Sequence, residues 1–550
     1  LQPRRATLWA SAVTLLIGCC LAPVAAQSPG ASPVLSAAEA RRLAADAESR
    51  QDWSGAAALY EALLRKDRNN AGLRTALLRC LRRDLVARRH LDPTYEAALA
   101  QLTPSRALDV YEKVLQLVPS VYVDPYRTTL SELFASGVQE VLLALEDDAF
   151  LRRYLPTSVG SDALKEFKAQ LVRLRDRRPG PVDIPDARTL VMGLSQTASD
   201  LAIPVSKAFQ VALALEMAAG ACNALDEYTL FLTPGSAANA ALGIDVPAGV
   251  GIEVVSDGGE MVVTRVYPRG PADNRLHPND RIRAIGGQPI AGLDASTVHD
   301  RLRGESGSIV DLEVLRDGQM MLVETIQLRR GPYVVPTVEY RLLADPMGMG
   351  TDAEPIGYLR ITEFRHTTVQ EVREALAQLQ TQGARGVVLD LRGNGGGLFE
   401  AAVKVAELFL PAGHLVTRGV SPVPQFNRPF PVESTNPLTL PLAVLIDGET
   451  ASAAEVVVAA LKDNNRARLL GQPTYGKGLI QCIIPVTKPG ESGRLATALK
   501  ITVARFLSPD KSPVTRQGIP PHDLLDGDGE TAIVAARLYL LGMLRTMNIR

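Results

Sequence analysis

The chain has 550 residues, too many for one hydrophobic core, and its composition, 46% hydrophobic and 22% charged, suits ordinary globular protein in about two to four domains. With 59 basic against 60 acidic side chains the formal net charge is −1. There is no global field to gather nucleic acid or an anionic membrane, so composition argues against a nucleic-acid partner.

At the start, Arg4 and Arg5 precede "ATLWASAVTLLIGCCLAPVAAQ". Its length suits a signal-peptide core, and Val24-Ala25-Ala26 suits cleavage before Gln27. Residues 1–26 therefore read as a signal peptide and the protein as exported, to a periplasm or the extracellular space. An uncleaved membrane anchor is the competing reading, against which Pro23 and the small residues after it speak. "LIGC", Leu16 to Cys19, resembles a lipobox, and cleavage there would leave Cys19 as a lipidated membrane anchor. Once Cys19 and Cys20 leave with the signal, Cys80, Cys222 and Cys482 remain, an odd set without CxxC spacing, so neither a disulfide framework nor a zinc site is indicated.

Residues 27–34 are rich in Pro, Gly, Ala and Ser and read as a tether. From 35 to 189 apolar residues recur at i, i+3, i+4 spacing with a break at "RNNAG", the pattern of antiparallel helices. The Trp53, Ala56-Ala57, Tyr60 and Asn69-Asn70 pattern resembles a tetratricopeptide-type unit, with an ordinary helical bundle as the alternative. The basic run "RCLRRDLVARRH", Arg79 to His90, reads as a solvated helix face. Residues 190–240 stay helical and close on "ALDEYTLFLTP".

Between 241 and 332 the pattern changes to alternating Val/Ile strands, glycine turns and one short helix, "DASTVHDRLRG". "GVGI" (Gly249, Val250, Gly251, Ile252) and "GPADNRLHPNDRIRAIGGQPI" resemble the carboxylate-binding loop and the following stretch of PDZ domains. The resemblance implies a peptide partner: its C-terminal carboxylate meets backbone N–H groups of the glycine turn, the peptide adds as a strand against "IEVV", and Ile252, Val254, Val298 and Leu302 line the side-chain pocket. A small β domain without a ligand is the plainer alternative.

From 340 to 530 strands and helices alternate: "IGYLRI", "TTVQEVREALAQLQTQ", "GVVLDLR", "LFEAAVKVAELFL", "PLAVLID", "SAAEVVVAALKDN". This βαβ order predicts a partly parallel sheet covered by helices, and residues 531–550 read as a C-terminal helix. The expected fold is thus an α/β core with a PDZ-like β domain inserted and an all-helical region before it.

Strand ends that meet helix starts are where such sheets build sites. Ser452 stands at one, and Ser452-Ala453-Ala454-Glu455 is an S-x-x-E capping box, so it reads as a plain cap. As a nucleophile it would also have the Ala453 N–H and the helix dipole aimed at a tetrahedral oxyanion. None of the six histidines is close to it in sequence, though spatial approach by one is left open. Lys477, between Gly476 and Gly478 in apolar "YGKGLIQCIIPV", is the alternative base, provided burial keeps it neutral; a solvent-facing strand lysine is the bland reading. Gln481 shares its strand face, but four residues of straight strand separate them by about 13 Å, so contact requires a bend. The glycine loop of "DLRGNGGGLF" fits no nucleotide-binding spacing and reads as backbone N–H donors for an oxyanion, with Gly397 or its neighbour Gly396 as donor.

Together, "DEYTLFLTP", the PDZ-like segment, "IGYLRITEF", "LDLRGNGGGLF", "DGETASAAE", "YGKGLIQ", "ALKITVARFLSP" and "GIPPHD" stand in the order seen in carboxyl-terminal processing peptidases, which residues 190–530 resemble. The resemblance implies Ser452 as nucleophile, Lys477 as general base, Gln481 as the residue orienting it, and Gly397 and Ala453 as oxyanion positions. Arg303 matches an arginine that in some members links PDZ loading to the active state. No metal or other cofactor is implied. The expectation is an exported Ser-Lys endopeptidase acting on protein C-terminal tails. The rival is a non-catalytic adaptor on a degenerate core, and the oligomeric state and the helical region's partner stay open.

Overall fold

The computed structural model describes residues 36–548 except 177–181, 236–248, 258–259, 294, 305, 317–322, 344–353, 435, 487–496 and 526–528. The expected signal peptide, the tether and Cys19 lie outside the described residues. The chain forms two compact units, one of residues 36–235 and 338–548, the other of residues 249–337.

The first unit begins with helices α1 (Ala37–Ser49), α2 (Trp53–Lys66), α3 (Ala71–Leu91), α4 (Pro93–Gln101), α5 (Pro104–Val121), α6 (Leu130–Ala144), α7 (Asp148–Tyr154), α8 (Ser161–Asp176), α9 (Ile184–Asp200) and α10 (Lys207–Asn223). Their starts follow the local chemistry: Asp52, Asn70, Thr103 and Ser206 each accept a backbone N–H three residues on, removing a donor the helix leaves unpaired. The break at "RNNAG" is the α2–α3 turn. Helix α10 is buried on all sides from Val211 to Cys222, as an all-round apolar helix must be. It meets α6 almost backbone to backbone, since a Cβ on Gly220 would come within 2.5 Å of the Ser136 carbonyl.

The basic run on α3 departs from the solvated face expected of it. Arg89 and His90 are buried; Arg89 donates to Glu140 at 2.7 Å and to Glu216 at 2.8 and 3.0 Å, and His90 lies 3.1 Å from Glu216 and 3.2 Å from the Tyr154 hydroxyl. The reason is a partner the local pattern does not contain: acids from α6 and α10 arrive beside α3 and satisfy charges that could not be buried alone.

After strand β1 (Leu230–Leu232) comes the second unit: β2 (Ile252–Asp257), β3 (Glu260–Val266), β4 (Arg281–Ile285), β5 (Gln288–Pro289), helix α11 (Ala295–Leu302), β6 (Ile309–Leu315) and β7 (Val323–Arg329). The order is β2-β3-β4-β6-β7, all antiparallel, with β5 on β4. Strand β2 is therefore an edge.

The first unit then resumes with β8 (Val338–Leu342), β9 (Ile356–Ile361), α12 (Thr368–Thr381), β10 (Gly386–Asp390), α13 (Phe399–Glu407), β11 (Leu415–Val420), β12 (Pro429–Pro431), β13 (Leu442–Ile446), α14 (Ala453–Asp463), β14 (Arg468–Gly471), β15 (Leu479–Pro485), β16 (Ala498–Leu507), β17 (Asp523–Leu524) and α15 (Gly529–Asn548). The βαβ segments make a sheet in the order β17-β14-β13-β10-β9-β8, parallel except at β8. Its central strands β10 and β13 are buried along their whole length, because α15 covers one face and α12 to α14 pack on the other. Strands β15 and β16 do not join this sheet as expected. They pair with each other, and β16 also with β1 and β11, in a separate antiparallel sheet. The alternation of β-branched residues marks them as strands but says nothing of which edge they choose.

Removing one partner of the Arg89 network leaves buried charge uncompensated. Arg89→Ala is expected to lower unfolding free energy by about 3–5 kcal/mol in urea titration, whereas an exposed-face arginine would cost almost nothing.

Candidate active site

Ser452 lies between the end of β13 and the first turn of α14, fully buried, with φ +57° and ψ −117°. A non-glycine residue held there stores about 1–3 kcal/mol of strain and marks a position the surroundings over-determine. The expected capping box forms only in half. Glu455 accepts the Ser452 N–H at 2.8 Å, but the Glu455 N–H goes to the Ser452 carbonyl at 2.9 Å and the Ser452 Oγ has no hydrogen-bond partner. The positive φ swings Cβ away from the helix end, so the hydroxyl is not available as a cap.

The loop carrying Ser452 is clasped to the glycine loop. Gly393 N–H donates to Asp447, Thr450 Oγ1 to the Leu391 carbonyl, and Ala451 N–H to the Asn394 carbonyl at 2.9 Å. Buried Asn394 bonds the Ile361 carbonyl at 2.9 Å through Nδ2 and accepts the Gly396 N–H at 2.8 Å through Oδ1. Gly396, at φ +111°, presses on the serine: a Cβ there would come within 2.9 Å of Ser452 Cβ and 3.0 Å of the Ala453 nitrogen. Gly397, at φ +129°, bridges Phe364, whose N–H donates to the Gly396 carbonyl and whose carbonyl accepts from Leu398. In a parallel bridge of this kind the central residue's own N–H points away from the partner strand, here away from Phe364.

Lys477 lies just before β15, with only 2% of it exposed. Its flanking glycines are required by close approach: a Cβ would come within 2.0 Å of the Thr515 carbonyl at Gly476 and 2.3 Å of the Val514 carbonyl at Gly478. One carboxylate ties this loop to the serine. Glu455 Oε2 accepts both the Ser452 and the Lys477 backbone N–H at 2.8 Å, which places those nitrogens within twice that distance of one another. Its Oε1 accepts from Gly476 N–H at 2.7 Å and Thr474 Oγ1 at 2.6 Å. Burial pushes the Glu455 carboxyl up, while these four donors favour its ionised form.

The lysine amine has no hydrogen-bond partner and sits 4.1 Å from the centre of the Tyr228 ring, a cation–π distance. Gln481 does not hold it, contrary to the sequence expectation. The required bend exists as a register shift between Ile480 and Gln481 opposite β16, but Gln481 Nε2 is drawn to Thr502 Oγ1 at 3.3 Å. Its Oε1 is buried without a partner, as is Ser452 Oγ. Hydroxyl, amine and amide oxygen are complementary groups, and native proteins rarely bury such atoms unmatched.

Five of the six histidines have ring nitrogens engaged elsewhere: His90 and His277 with side chains, His299 and His414 with carbonyls, His522 with the Leu469 N–H. His366 is exposed. Among the described residues no cluster of His, Cys, Asp or Glu is arranged to hold a metal, and no helix is long and apolar enough to cross a membrane. Cys80, Cys222 and Cys482 are buried free thiols.

In the second unit, β2 is an edge strand among the described residues. One part of the expected peptide site differs. Gly249 N–H is engaged with the Gly331 carbonyl at 3.1 Å, closing the ends of the domain; Gly251, at φ +78°, retains the sharp turn. Val250, Ile252, Val254, Val298 and Leu302 are all buried in the unit's own core. Arg303 is exposed just beyond α11.

Sequence reasoning passed over Glu455 as anything beyond a cap, and Tyr228 and Asn394 altogether. Only the Ser-x-x-Glu spacing carried a signal; the reach of Glu455 to Lys477 crosses 22 residues.

These features define a peptidase-type α/β core with a PDZ-type unit. Residues 355–524 match the model of Peptidase family S41, and residues 241–315 that of the PDZ domain. The chain is 33% identical to the chloroplastic C-terminal processing peptidase of Tetradesmus obliquus over 55% of its length and 65% of that protein's. It is 31% identical to the carboxy-terminal processing protease CtpA of Bacillus subtilis (strain 168), over 50% and 55%. Among solved structures, a photosystem II D1 C-terminal processing protease is 26% identical with TM-score 0.36, covering 74% of this chain and 97% of that one. The chain thus spans more than half but less than two thirds of these two curated relatives. It carries a peptidase family S41 domain and a PDZ domain, and its homologues are C-terminal processing peptidases.

Glu455→Gln keeps the shape but turns an amide NH2 toward backbone donors. Amide exchange at Gly476 and Lys477 is expected to accelerate while α14 stays protected. Because its carboxyl is raised in the folded protein, the folded chain binds that proton more readily than the unfolded one, so acidification through this range costs no global stability at Glu455.

Proposed function

We propose that this chain is an exported serine endopeptidase that takes protein C-terminal tails through its PDZ unit and cleaves peptide bonds with Ser452 and Lys477. The observation that carries the reading is the trio of buried, unpartnered and chemically complementary atoms, Ser452 Oγ, Lys477 Nζ and Gln481 Oε1, the first two belonging to residues whose backbones are joined by one carboxylate oxygen.

In the proposed reaction the Lys477 amine leaves the Tyr228 ring and takes the Ser452 proton as Oγ attacks the scissile carbonyl carbon. No carboxylate competes for it from Glu455, whose oxygens are engaged by four donors. Gly397 and Ala453 N–H groups receive the oxyanion, with Gly396 setting the distance between the two loops. Collapse breaks the C–N bond, the lysine ammonium protonates the departing amine, and the acyl group stays on Oγ. Water, deprotonated by the same lysine, releases the acid and restores the serine. Gln481 Oε1 is the acceptor that steadies the amine once it turns from Tyr228. The tail's carboxylate is received by the turn at Val250 and Gly251, with the peptide pairing along β2 and its side chain meeting Ile252 and Val298; Arg303 is the exposed charge just beyond α11.

Ser452→Ala and Lys477→Ala are each expected to lower turnover of an unfolded protein with an apolar C-terminus by at least about a thousandfold. Equal turnover in Ser452→Ala sinks the peptidase assignment and leaves the adaptor reading. For export, intact-mass analysis of protein from its native host should give an N-terminus at Gln27, or a lipidated Cys19; a retained hydrophobic segment overturns both.

A further inference from the structure

Helices α1 and α2 and the first half of α3 have a hydrophobic core of their own, from Ala40 to Cys80, separate from the main core of the unit. From this module three arginines reach the segments around the candidate site. Arg65 pairs with Glu449, three residues before Ser452. Arg74 pairs at 3.2 Å with Glu227, next to the Tyr228 ring that covers the lysine amine. Arg68, in the α2–α3 turn, donates to three successive carbonyls of the loop leading to Lys477: Pro473 at 3.2 Å, Thr474, and Tyr475 at 3.3 Å.

The loop gripped by Arg68 is the one Glu455 holds from the other side. Its inward groups, Thr474 Oγ1 and the N–H groups of Gly476 and Lys477, go to Glu455; its outward carbonyls go to the guanidinium. Five N–H donors in a rigid fork suit several carbonyls at once, which a lysine ammonium does not. The turn is shaped for this: Asn70 caps α3 and ties back to Asp67 at 2.9 Å, leaving Arg68 at the apex.

Resting on the peptidase reading, we propose that the α2–α3 turn is a built-in clamp on the active site and Arg68 a positioning residue. It holds the 473–475 carbonyls so that the Lys477 loop stays in register with Ser452. The helical region is then part of the working enzyme rather than an appended adaptor.

The test compares full-length wild type, Arg68→Ala and Arg68→Lys by amide hydrogen exchange and by steady-state cleavage of an unfolded protein. Arg68→Ala should speed exchange at 474–477 but not in β9, β10 and β13, and lower kcat by about ten- to a hundredfold with KM changed less than about twofold. Arg68→Lys should recover only part of kcat. Unchanged exchange at 474–477, or faster exchange there with kcat intact, overturns the clamp. Should the alanine variant unfold, Arg68→Gln, which keeps an amide donor, carries the same comparison. Intact turnover in Ser452→Ala would instead overturn the peptidase reading and leave the exchange comparison standing.

Discussion

The arrangement around Ser452 depends on the carboxylate of Glu455. It is buried, and it is tolerable because four donors converge on it. Those donors come from two places: the strained residue at the start of α14 and the loop before β15. Both loops must therefore be in place together, and a buried charge becomes the device that sets their spacing. A hydrophobic residue at 455 could fill the space but could not specify the distance between two backbone nitrogens.

Around that tie, the structure leaves three polar atoms unmatched and one serine in a costly conformation. Such features would be defects in a region whose only task was to be stable. They are affordable because β10 and β13 are buried throughout and covered by helices on both faces. The strain sits at the ends of strands whose middles are firmly packed, where α/β folds build sites. The lysine amine rests on the Tyr228 ring and makes no hydrogen bond to Gln481.

Much of this was legible in the chain. Apolar periodicity placed the helices and the parallel strands, and the break at "RNNAG" placed the α2–α3 turn. Other readings failed for a common reason. Arg89 and His90 look solvated because the acids that bury them are 51 to 127 residues away. Gln481 looks like a partner for Lys477 because sequence gives strand periodicity but not the competing hydroxyl of Thr502. The capping box looks complete because spacing is visible and φ is not.

The sequence by itself determined the inventory: a serine at a strand-to-helix junction, a lysine between glycines, a glycine loop, an edge strand beside a glycine turn, and a helical region before them. These are local facts, set by spacing and by what each side chain can do. Only the tertiary structure decided who meets whom: Glu455 joining Ser452 to Lys477, Tyr228 beneath the amine, Arg68 across three carbonyls. Each contact depends on a chain crossing whose register is fixed by packing over the whole unit, and no local pattern encodes that.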